Sequence, residues 1–231
     1  MIRSRTVARF QLTSLVALAV LSAPAWAADV VLLPNGLMTP TTKEQTKLNQ
    51  FKKAGPWRIG VSFGGVGNTW IVQMIQEMRY AAAQNKNITE FIFVEANWQA
   101  AKQVADVRSM IAQKVDAIFL APREDKPLAP VVAEARKAGI PVILLDRNID
   151  PALSKPGTDY VTFIGSDFIK EGQRVGDWLV KNAKGKTNII ELEGTTGSSP
   201  ANDRKKGFDD VIAKNPSFKI LASQTGDFSR D

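Results

Sequence analysis

Several groups of polar side chains in this sequence have types and spacings that could support chemistry. Neighbouring carboxylates occur at Glu124–Asp125 and at Glu191 with Glu193, and carboxylate pairs are the groups that acid–base hydrolysis requires. Glu191 and Glu193 alternate along one expected strand, so they point to the same face. The sequence contains no histidine and no cysteine, which excludes Ser-His-Asp and Cys-His catalysis and removes the commonest transition-metal ligands.

The stretch GGVGNTW at residues 64–70 is close to a phosphate-binding loop. Such a loop needs Gly, four residues, Gly, Lys and then Ser or Thr. Placing Asn68 at the lysine position puts Ser62 where the first glycine belongs, so the pattern fails at both places, and the missing lysine argues against nucleotide binding. Asn68 can instead cap a helix or bind a ligand, and Trp70 can pack in the core or stack on the C–H face of a sugar ring.

The strands and helices that would position these residues alternate regularly along the sequence from Trp57 onward. Strand-like apolar runs occur at 57–63, 90–95, 116–121, 141–146, 160–165, 187–193 and 218–224. Helical patterns include the apolar stripes Ile71, Met74, Ile75, Met78 and Val104, Val107, Ile111, and the ranges 127–138, 168–183 and 200–214. This alternation predicts an α/β fold with parallel sheets covered by helices on both faces. Trp178 lies in one of the helical ranges and is predicted to pack.

Polar and aromatic residues follow the expected strands at the end where α/β sheets bind ligands. They are Asn97 and Trp98 after the second strand, Arg123, Glu124 and Asp125 after the third, Asp146 and Arg147 after the fourth, Arg204 one turn inside a helix that starts at Ser199 or Pro200, and Phe228 after the last strand. A carboxylate accepts from two hydroxyls and a guanidinium donates in a fixed fork, so Asp146 and Arg147 could grip an uncharged polyol. A local ion pair is the other interpretation.

The N-terminus has the order of a secretory signal peptide. Three arginines precede a short apolar run, and Ala25-Trp26-Ala27 supplies small residues for cleavage, so residues 1–27 are expected to be removed on export. Without them the formal net charge falls from +7 to +4, and the acids and bases are interspersed, so no nucleic-acid partner is expected. Residues 28–56 are expected to be an extension with a short helix near 42–53. No cysteine is present to carry a lipid anchor.

Six segments in order make the chain resemble the type 1 periplasmic sugar-binding proteins of ABC importers. They are WRIGVSFGGVGNTW, IAQKVDAIFLAP, GIPVILLDRNID, VTFIGSDFIKEGQRVGDWLV, ELEGTTGSSPANDRKKGF and QTGDFSRD. The resemblance implies two doubly wound parallel-sheet lobes that close on one sugar, a first lobe at 57–165 and a partial second lobe at 166–231. It also implies that the C-terminal third of such a receptor, with the rest of its second lobe, lies beyond Asp231, so this chain is expected to bind sugar weakly or not at all.

The resemblance also assigns roles to the strand-end residues. Asp146 and Arg147 resemble the polyol grip of the first lobe, and Asn97 resembles the polar contact after the second strand. Arg204 resembles the arginine of the second lobe, and Phe228 resembles the aromatic residue that sandwiches the ring. The candidate ligand-binding residues are Asn68, Trp70, Asn97, Arg123, Asp146, Arg147, Arg204 and Phe228.

The expected partners are a monosaccharide, with a lean towards the galactofuranose-type branch, and an ABC permease of the inner membrane. A chemoreceptor is also compatible, and no cofactor or catalytic activity is expected. Two alternatives stay open. A sugar-responsive regulator shares the fold but would carry a helix-turn-helix in place of the leader. An exported glycoside hydrolase would use one of the carboxylate pairs.

Overall fold

The computed structural model describes residue 40 and residues 43–229, so the expected signal peptide lies outside the described residues. The described strands are β1 Trp57–Phe63, β2 Ile88–Glu95, β3 Ala117–Ala121, β4 Val142–Leu145, β5 Thr162–Ile164, β6 Thr187–Glu193 and β7 Phe218–Thr225. The described helices are α1 Thr69–Gln84, α2 Ala100–Ala112, α3 Ala129–Lys137, α4 Phe168–Asn182 and α5 Ser199–Ile212. β1 and β6 have the bounds that the sequence predicts.

Five strands form a parallel sheet in the order β2-β1-β3-β4-β5. Alternate residues of its inner strands pack against helices on opposite faces. Ile118 and Leu120 lie in the cluster with Val107 of α2, whereas Phe119 packs on the other face with Ile75 of α1. The predicted fold class, an α/β protein with a parallel sheet buried between helices, is confirmed.

A buried glutamine on α2 fixes the loop that follows β3. Gln103 is fully buried, and its Nε2 donates to the Ala121 carbonyl at 2.9 Å and to Ser62 Oγ at 3.3 Å. Its Oε1 accepts from the backbone N–H of Arg123 at 2.8 Å. Because both ends of the amide are paired, the group is buried without leaving unsatisfied polar atoms, and the backbone of Arg123 is held at the edge of the sheet.

β6 and β7 form a second, two-stranded parallel sheet, which the chain reaches after β5. From Lys43 onward the described chain belongs to one compact unit. One face of the second sheet packs on α4 and α5 through a cluster that includes Ile189 and Phe218. On the opposite face Ile190 and Leu192 are 77% and 78% exposed.

Glycines bring α4 and α5 into direct backbone contact. A Cβ placed on Gly172 would lie 2.0 Å from the carbonyl oxygen of Arg204, and one on Gly207 would lie 2.1 Å from the carbonyl oxygen of Ile169. Side chains cannot approach backbone atoms so closely. The two helices therefore pack at a distance that only glycine permits at these positions.

We expect Gly172→Ala to lower the free energy of unfolding by about 1–3 kcal/mol, because the added methyl group must push the helices apart. The steric cost opposes the roughly 1 kcal/mol by which alanine favours a helix over glycine, and a net loss of stability means that the steric cost is the larger of the two. The midpoint of urea unfolding at constant m-value measures it. Arg174→Ala, at an exposed position of the same helix, is the matched control, expected to stay within about 0.5 kcal/mol of the wild type. Equal midpoints for Gly172→Ala and the wild type would contradict this packing.

The short helix expected near residues 42–53 is absent from the described part of that range. Residues 48–51 form a turn, and Asn49 has a φ of 63°, in the left-handed region, which interrupts a right-handed helix. The segment instead lies along the chain that leads into β5. Thr46 Oγ donates to the carbonyl of Val161 at 2.9 Å.

The prediction that Trp178 packs in the interior is wrong for the described structure. Trp178 is 64% exposed on α4, and Val175 on the preceding turn is 59% exposed. The face of α4 that contacts α5 is formed by Gly172 and Gly176, whose Cβ positions would meet Arg204 and Val211. The aromatic residue therefore lies away from that contact.

Candidate ligand-binding site

Loops from both sheets meet around a small cavity at the carboxyl ends of the strands. Its volume is about 170 Å³, and it is lined by Gly67, Asn68, Trp98, Arg123, Asp227, Phe228 and Ser229. These residues follow β1, β2, β3 and β7, so the cavity lies where parallel sheets bind ligands. Asn68, Arg123 and Phe228 are candidates from the sequence that the fold brings together here.

The glycines at residues 64–67 let the chain pass close to an indole ring. A Cβ on Gly65 would lie 2.3 Å from the ring of Trp98, and one on Gly67 would lie 2.8 Å from it. The backbone N–H of Trp98 donates to the carbonyl of Gly64 at 2.8 Å, which ties the two loops together. The loop therefore wraps an aromatic side chain.

The start of α1 carries the two candidates of the first loop. Asn68 is the N-cap, and its Oδ1 accepts from the backbone N–H of Ile71 at 3.0 Å, which confirms the capping interpretation. Trp70 is 67% exposed, so its interpretation as a core residue is wrong. The indole Nε1 of Trp70 donates to Asp146 Oδ1 at 3.0 Å.

Asp146 and Arg147 do not form the local ion pair that was one interpretation of the sequence. The described residues show no salt bridge between them, and the carboxylate is held by Trp70 instead. Asp146 has a φ of 57°, a left-handed conformation that aspartate and asparagine tolerate better than most residues. Both residues line a second cavity of about 10 Å³, and Trp98 is common to both cavities.

Arg147 is buried between two aromatic rings. Its Cζ lies 5.7 Å from the centre of the Trp98 ring and 5.8 Å from the centre of the Phe228 ring. The only hydrogen bond from its side chain to the described residues runs from NH1 to the carbonyl of Arg123 at 3.1 Å. Burial lowers the pKa of the guanidinium, and the nearby carboxylate of Asp146 opposes this effect. Most of its N–H donors therefore lack a protein acceptor in the described part of the chain.

Arg123 connects the loops of the two sheets. Its Nε donates to the carbonyl of Trp98 at 3.0 Å, and its NH1 donates to the carbonyl of Thr196 at 3.0 Å. NH1 also forms a salt bridge with Glu124 at 2.9 Å. These hydrogen bonds occupy much of the guanidinium and stabilise the loops that line the cavity.

Three more hydrogen bonds complete what we call the junction between the two sheets. The backbone N–H of Asp125 donates to the carbonyl of Gly197 at 2.9 Å, and that of Asn148 donates to Ser199 Oγ at 2.7 Å. The side-chain amide of Asn202 donates to Asp125 Oδ2 at 2.9 Å. The loops after β3 and β4 are thus bonded directly to the start of α5.

Three candidates from the sequence, Trp70, Asn97 and Arg204, do not line either small cavity. Arg204 donates from Nε to Glu171 Oε2 at 2.8 Å, and its Cζ lies 4.5 Å from the ring centre of Phe168. It lines a separate cavity of about 380 Å³ along β6. Asn97 is exposed at a position with a φ of 50°. Their contact with a ligand remains a prediction.

Trp98 and Asp227 also line the 170 Å³ cavity, although neither is in the candidate set. Trp98 follows Asn97 at the end of β2, and the direction of these two side chains is set by consecutive left-handed residues, with φ values of 50° and 60°. Local hydrophobic periodicity carries no signal for such a turn. Asp227 directly precedes Phe228, and the position of both after β7 was the available signal.

The carboxylate pairs are engaged in ways that do not suit hydrolysis. Glu191 and Glu193 share a face as predicted, and both lie within 4 Å of Lys205 Nζ, at 2.6 Å and 3.7 Å. Burial acts to raise the pKa of Glu191, but hydrogen bonds from Lys205 and Ser223 outweigh it and hold that pKa below its usual value. A general acid needs a raised pKa, which Glu191 does not have.

Asp203, which lies next to the junction, is expected to make the stability of the folded state depend on pH. Burial raises the pKa of its carboxyl, and the carboxylates of Asp125 and Asp167 raise it further, whereas Lys206 opposes the shift. A carboxyl whose pKa is raised by folding destabilises the folded state when it is ionised. That cost is present at neutral pH and disappears as the pH falls through the raised pKa towards the ordinary value of about 3.9.

We therefore expect Asp203→Asn to raise the free energy of unfolding at neutral pH. The difference from the wild type should shrink as the pH falls towards about 4, because the wild-type carboxyl becomes neutral as well. Urea unfolding at a series of pH values measures this, with Asp177→Asn at an exposed position of α4 as the control. A difference that stays constant with pH would show that the substitution does not act through ionisation.

The comparisons with known proteins agree with this fold. The sequence matches the periplasmic binding protein domain over residues 59–231, and the chain belongs to that family. It is 43% identical over 178 residues to the galactofuranose-binding protein YtfQ of Escherichia coli K12, covering 77% of this chain and 54% of that protein.

Two solved structures are similar in both sequence and fold. A protein from Mycobacterium smegmatis in complex with β-D-fucofuranose has 42% identity and a TM-score of 0.66, covering 75% of this chain and 57% of that one. The binding component of the arabinose ABC transporter from Shewanella sp. ANA-3, bound to L-arabinofuranose, has 40% identity and a TM-score of 0.65, covering 75% and 56%. All three are sugar-binding proteins, and the chain spans about half the length of these relatives.

Proposed function

We propose that this chain is part of an exported receptor that captures one monosaccharide between its two sheets and delivers it to an ABC sugar importer. The observation that carries the proposal is Arg147, a buried guanidinium between two aromatic rings, most of whose donors have no acceptor among the described residues. Sugar hydroxyls provide the acceptors that such a group needs, and aromatic faces pack against the C–H surface of a sugar ring. The furanose ligands of the similar structures support a sugar of this size.

The proposed ligand is small and uncharged. The cavity of about 170 Å³ is smaller than the roughly 300–1,000 Å³ of pockets for drug-sized ligands, so it suits a single ring. Both cations around it have carboxylates nearby, since Arg123 pairs with Glu124 and Arg147 lies near Asp146 and Asp227. An ionic ligand would disturb this arrangement of charges, whereas a neutral polyol would not.

The proposed contacts follow from the chemistry of each side chain. Arg147 donates to the sugar, and Asp146 accepts with the oxygen that does not bond Trp70. Asn68 and Arg123 supply further polar atoms from the cavity wall. Phe228 and Trp70 supply aromatic surface. Arg204 and Asn97 stay in the proposed set as residues that a movement of the sheets must bring to the ligand.

The ligand is proposed to enter by opening of the two sheets. We assign the lobes to residues 57–165 and 166–231, and the described chain passes from one sheet to the other between β5 and α4. The junction at Asp125, Asn148 and Ser199 holds them together in the arrangement described here. Rotation about a few residues at such a crossing is a common means of closure on a ligand.

The proposed function also requires export to the periplasm and a protein partner in the inner membrane. Removal of residues 1–27 would deliver the protein to the periplasm, and none of the helices in residues 43–229 has the length and apolar character to cross a bilayer. The proposed partner is an ABC permease of the inner membrane, and a chemoreceptor is a second compatible partner. The receptor needs no cofactor and catalyses no reaction.

A thermal-shift screen of the native gene product against a panel of monosaccharides tests this function. A ligand at 100 times its dissociation constant should add about 2.7 kcal/mol to the free energy of unfolding. Amino acids of similar size serve as the control panel. Stabilisation by no sugar in the panel, or turnover of a bound sugar, would overturn the proposal.

A further inference from the structure

The backbone that carries Trp98 is unusually constrained. Asn97 and Trp98 are consecutive left-handed residues, with φ values of 50° and 60°. Such conformations cost about 1–3 kcal/mol each outside glycine, and they persist only when the surroundings enforce them. Here the backbone N–H of Ala96 donates to the carbonyl of Phe63 at 2.9 Å, and that of Trp98 donates to the carbonyl of Gly64 at 2.8 Å. The turn is therefore anchored to the loop after β1 on both sides of Asn97.

The surroundings of Trp98 are shaped to receive its ring. Gly65 and Gly67 lie so close to the indole that a methyl group on either would collide with it. The ring is also the one aromatic wall shared by the cavities of about 170 Å³ and 10 Å³. The indole thus bounds both cavities on one side.

Trp98 also holds the two arginines of the site. Its ring lies 5.7 Å from Cζ of Arg147, within the range of a cation–π contact, and its carbonyl accepts from Nε of Arg123 at 3.0 Å. The carbonyl contact belongs to the backbone and survives substitution of the side chain. Replacing the indole therefore changes the cavity and Arg147 while leaving the bond to Arg123 available.

We propose that the indole of Trp98 sets the upper size of the ligand, because its ring is the wall that the 170 Å³ cavity shares with the space beside Asp146 and Arg147. This inference rests on the proposed function and adds the residue that determines specificity for a single sugar ring. A smaller side chain at this position enlarges the space around the sugar ring. Ligands that carry a substituent on the ring then fit, and the preference for the unsubstituted sugar falls.

The test compares the native gene product with Trp98→Phe and Trp98→Leu by calorimetric titration. The probes are D-galactose and L-arabinose as single rings, and methyl galactoside and lactose as larger ligands. We expect the affinity ratio of larger to smaller ligand to rise in the order Trp, Phe, Leu, by tenfold or more for Trp98→Leu. Trp178→Leu, at an exposed position on α4, is the matched control and should leave the ratio unchanged.

The outcomes separate this inference from the proposed function. If the wild type binds none of the carbohydrates, the proposed function fails, and the inference fails with it. If the wild type binds a single-ring sugar and the ratio is the same in both Trp98 variants, the inference alone fails. Should Trp98→Leu not fold, Trp98→Phe decides, because the smaller ring must still raise the ratio.

Discussion

Replacing Arg147 with methionine is expected to weaken monosaccharide binding by about 100-fold or more. Hydrogen bonds to a charged group contribute about 1.5–3 kcal/mol each, and two such bonds to a sugar sum to roughly 3–6 kcal/mol. At about 1.4 kcal/mol per decade, this corresponds to about 100- to 10,000-fold in affinity. Methionine keeps a long flexible side chain between the rings of Trp98 and Phe228, so the loss is one of donors more than of packing.

The same substitution should not lower the stability of the unliganded protein. Arg147 is 5% exposed and its side chain donates one hydrogen bond to the described residues, so the desolvation of the guanidinium is poorly compensated. Replacing a poorly compensated buried charge with an apolar side chain of similar volume is often neutral or stabilising. Titration with the best-binding sugar and urea unfolding of the free protein measure the two effects. Arg108→Met, which breaks an exposed salt bridge with Glu134, is the control for loss of an arginine.

Unchanged affinity in Arg147→Met would remove the residue from the site. A large loss of stability with no loss of affinity would make Arg147 a structural residue. Either outcome would also take away the observation on which the proposed function depends.

Asp146→Asn is expected to weaken sugar binding by roughly 10- to 200-fold, the equivalent of one charge-assisted hydrogen bond of about 1.5–3 kcal/mol. Among the described residues, only Oδ1 of this carboxylate receives a protein hydrogen bond, from Trp70. Asparagine can keep that bond through its own oxygen, while its nitrogen replaces the oxygen left for the sugar. The substitution thus presents a donor where the ligand needs an acceptor.

The unliganded protein should be little affected by Asp146→Asn. The φ of 57° at this position suits asparagine as well as aspartate, so the change adds no backbone strain. Titration calorimetry and a thermal melt of the free protein test both parts. Asp150→Asn, the same change in the same loop but outside both small cavities, is the control. If affinity holds and the free protein loses stability, Asp146 supports the loop and does not bind the sugar.

Much of the scaffold could be predicted from local patterns in the sequence. Near-continuous apolar runs such as that of β1, and stripes such as Ile71 and Ile75, report burial on one or both faces, and this depends only on residues close in the chain. The position of Asp146 directly after β4 followed from the same patterns. The candidate site could therefore be placed at one edge of a parallel sheet before any contact was known.

Which of these residues meet was decided by tertiary structure. Trp98 and not Asn97 lines the cavity because two left-handed residues turn the chain there, and periodicity does not encode such a turn. Trp70 bonds to Asp146 across 76 residues of sequence, and Arg147 lies between rings that follow β2 and β7. Local propensity reports whether a side chain is buried, whereas its partners depend on how separate loops approach one another, and that is a property of the folded chain alone.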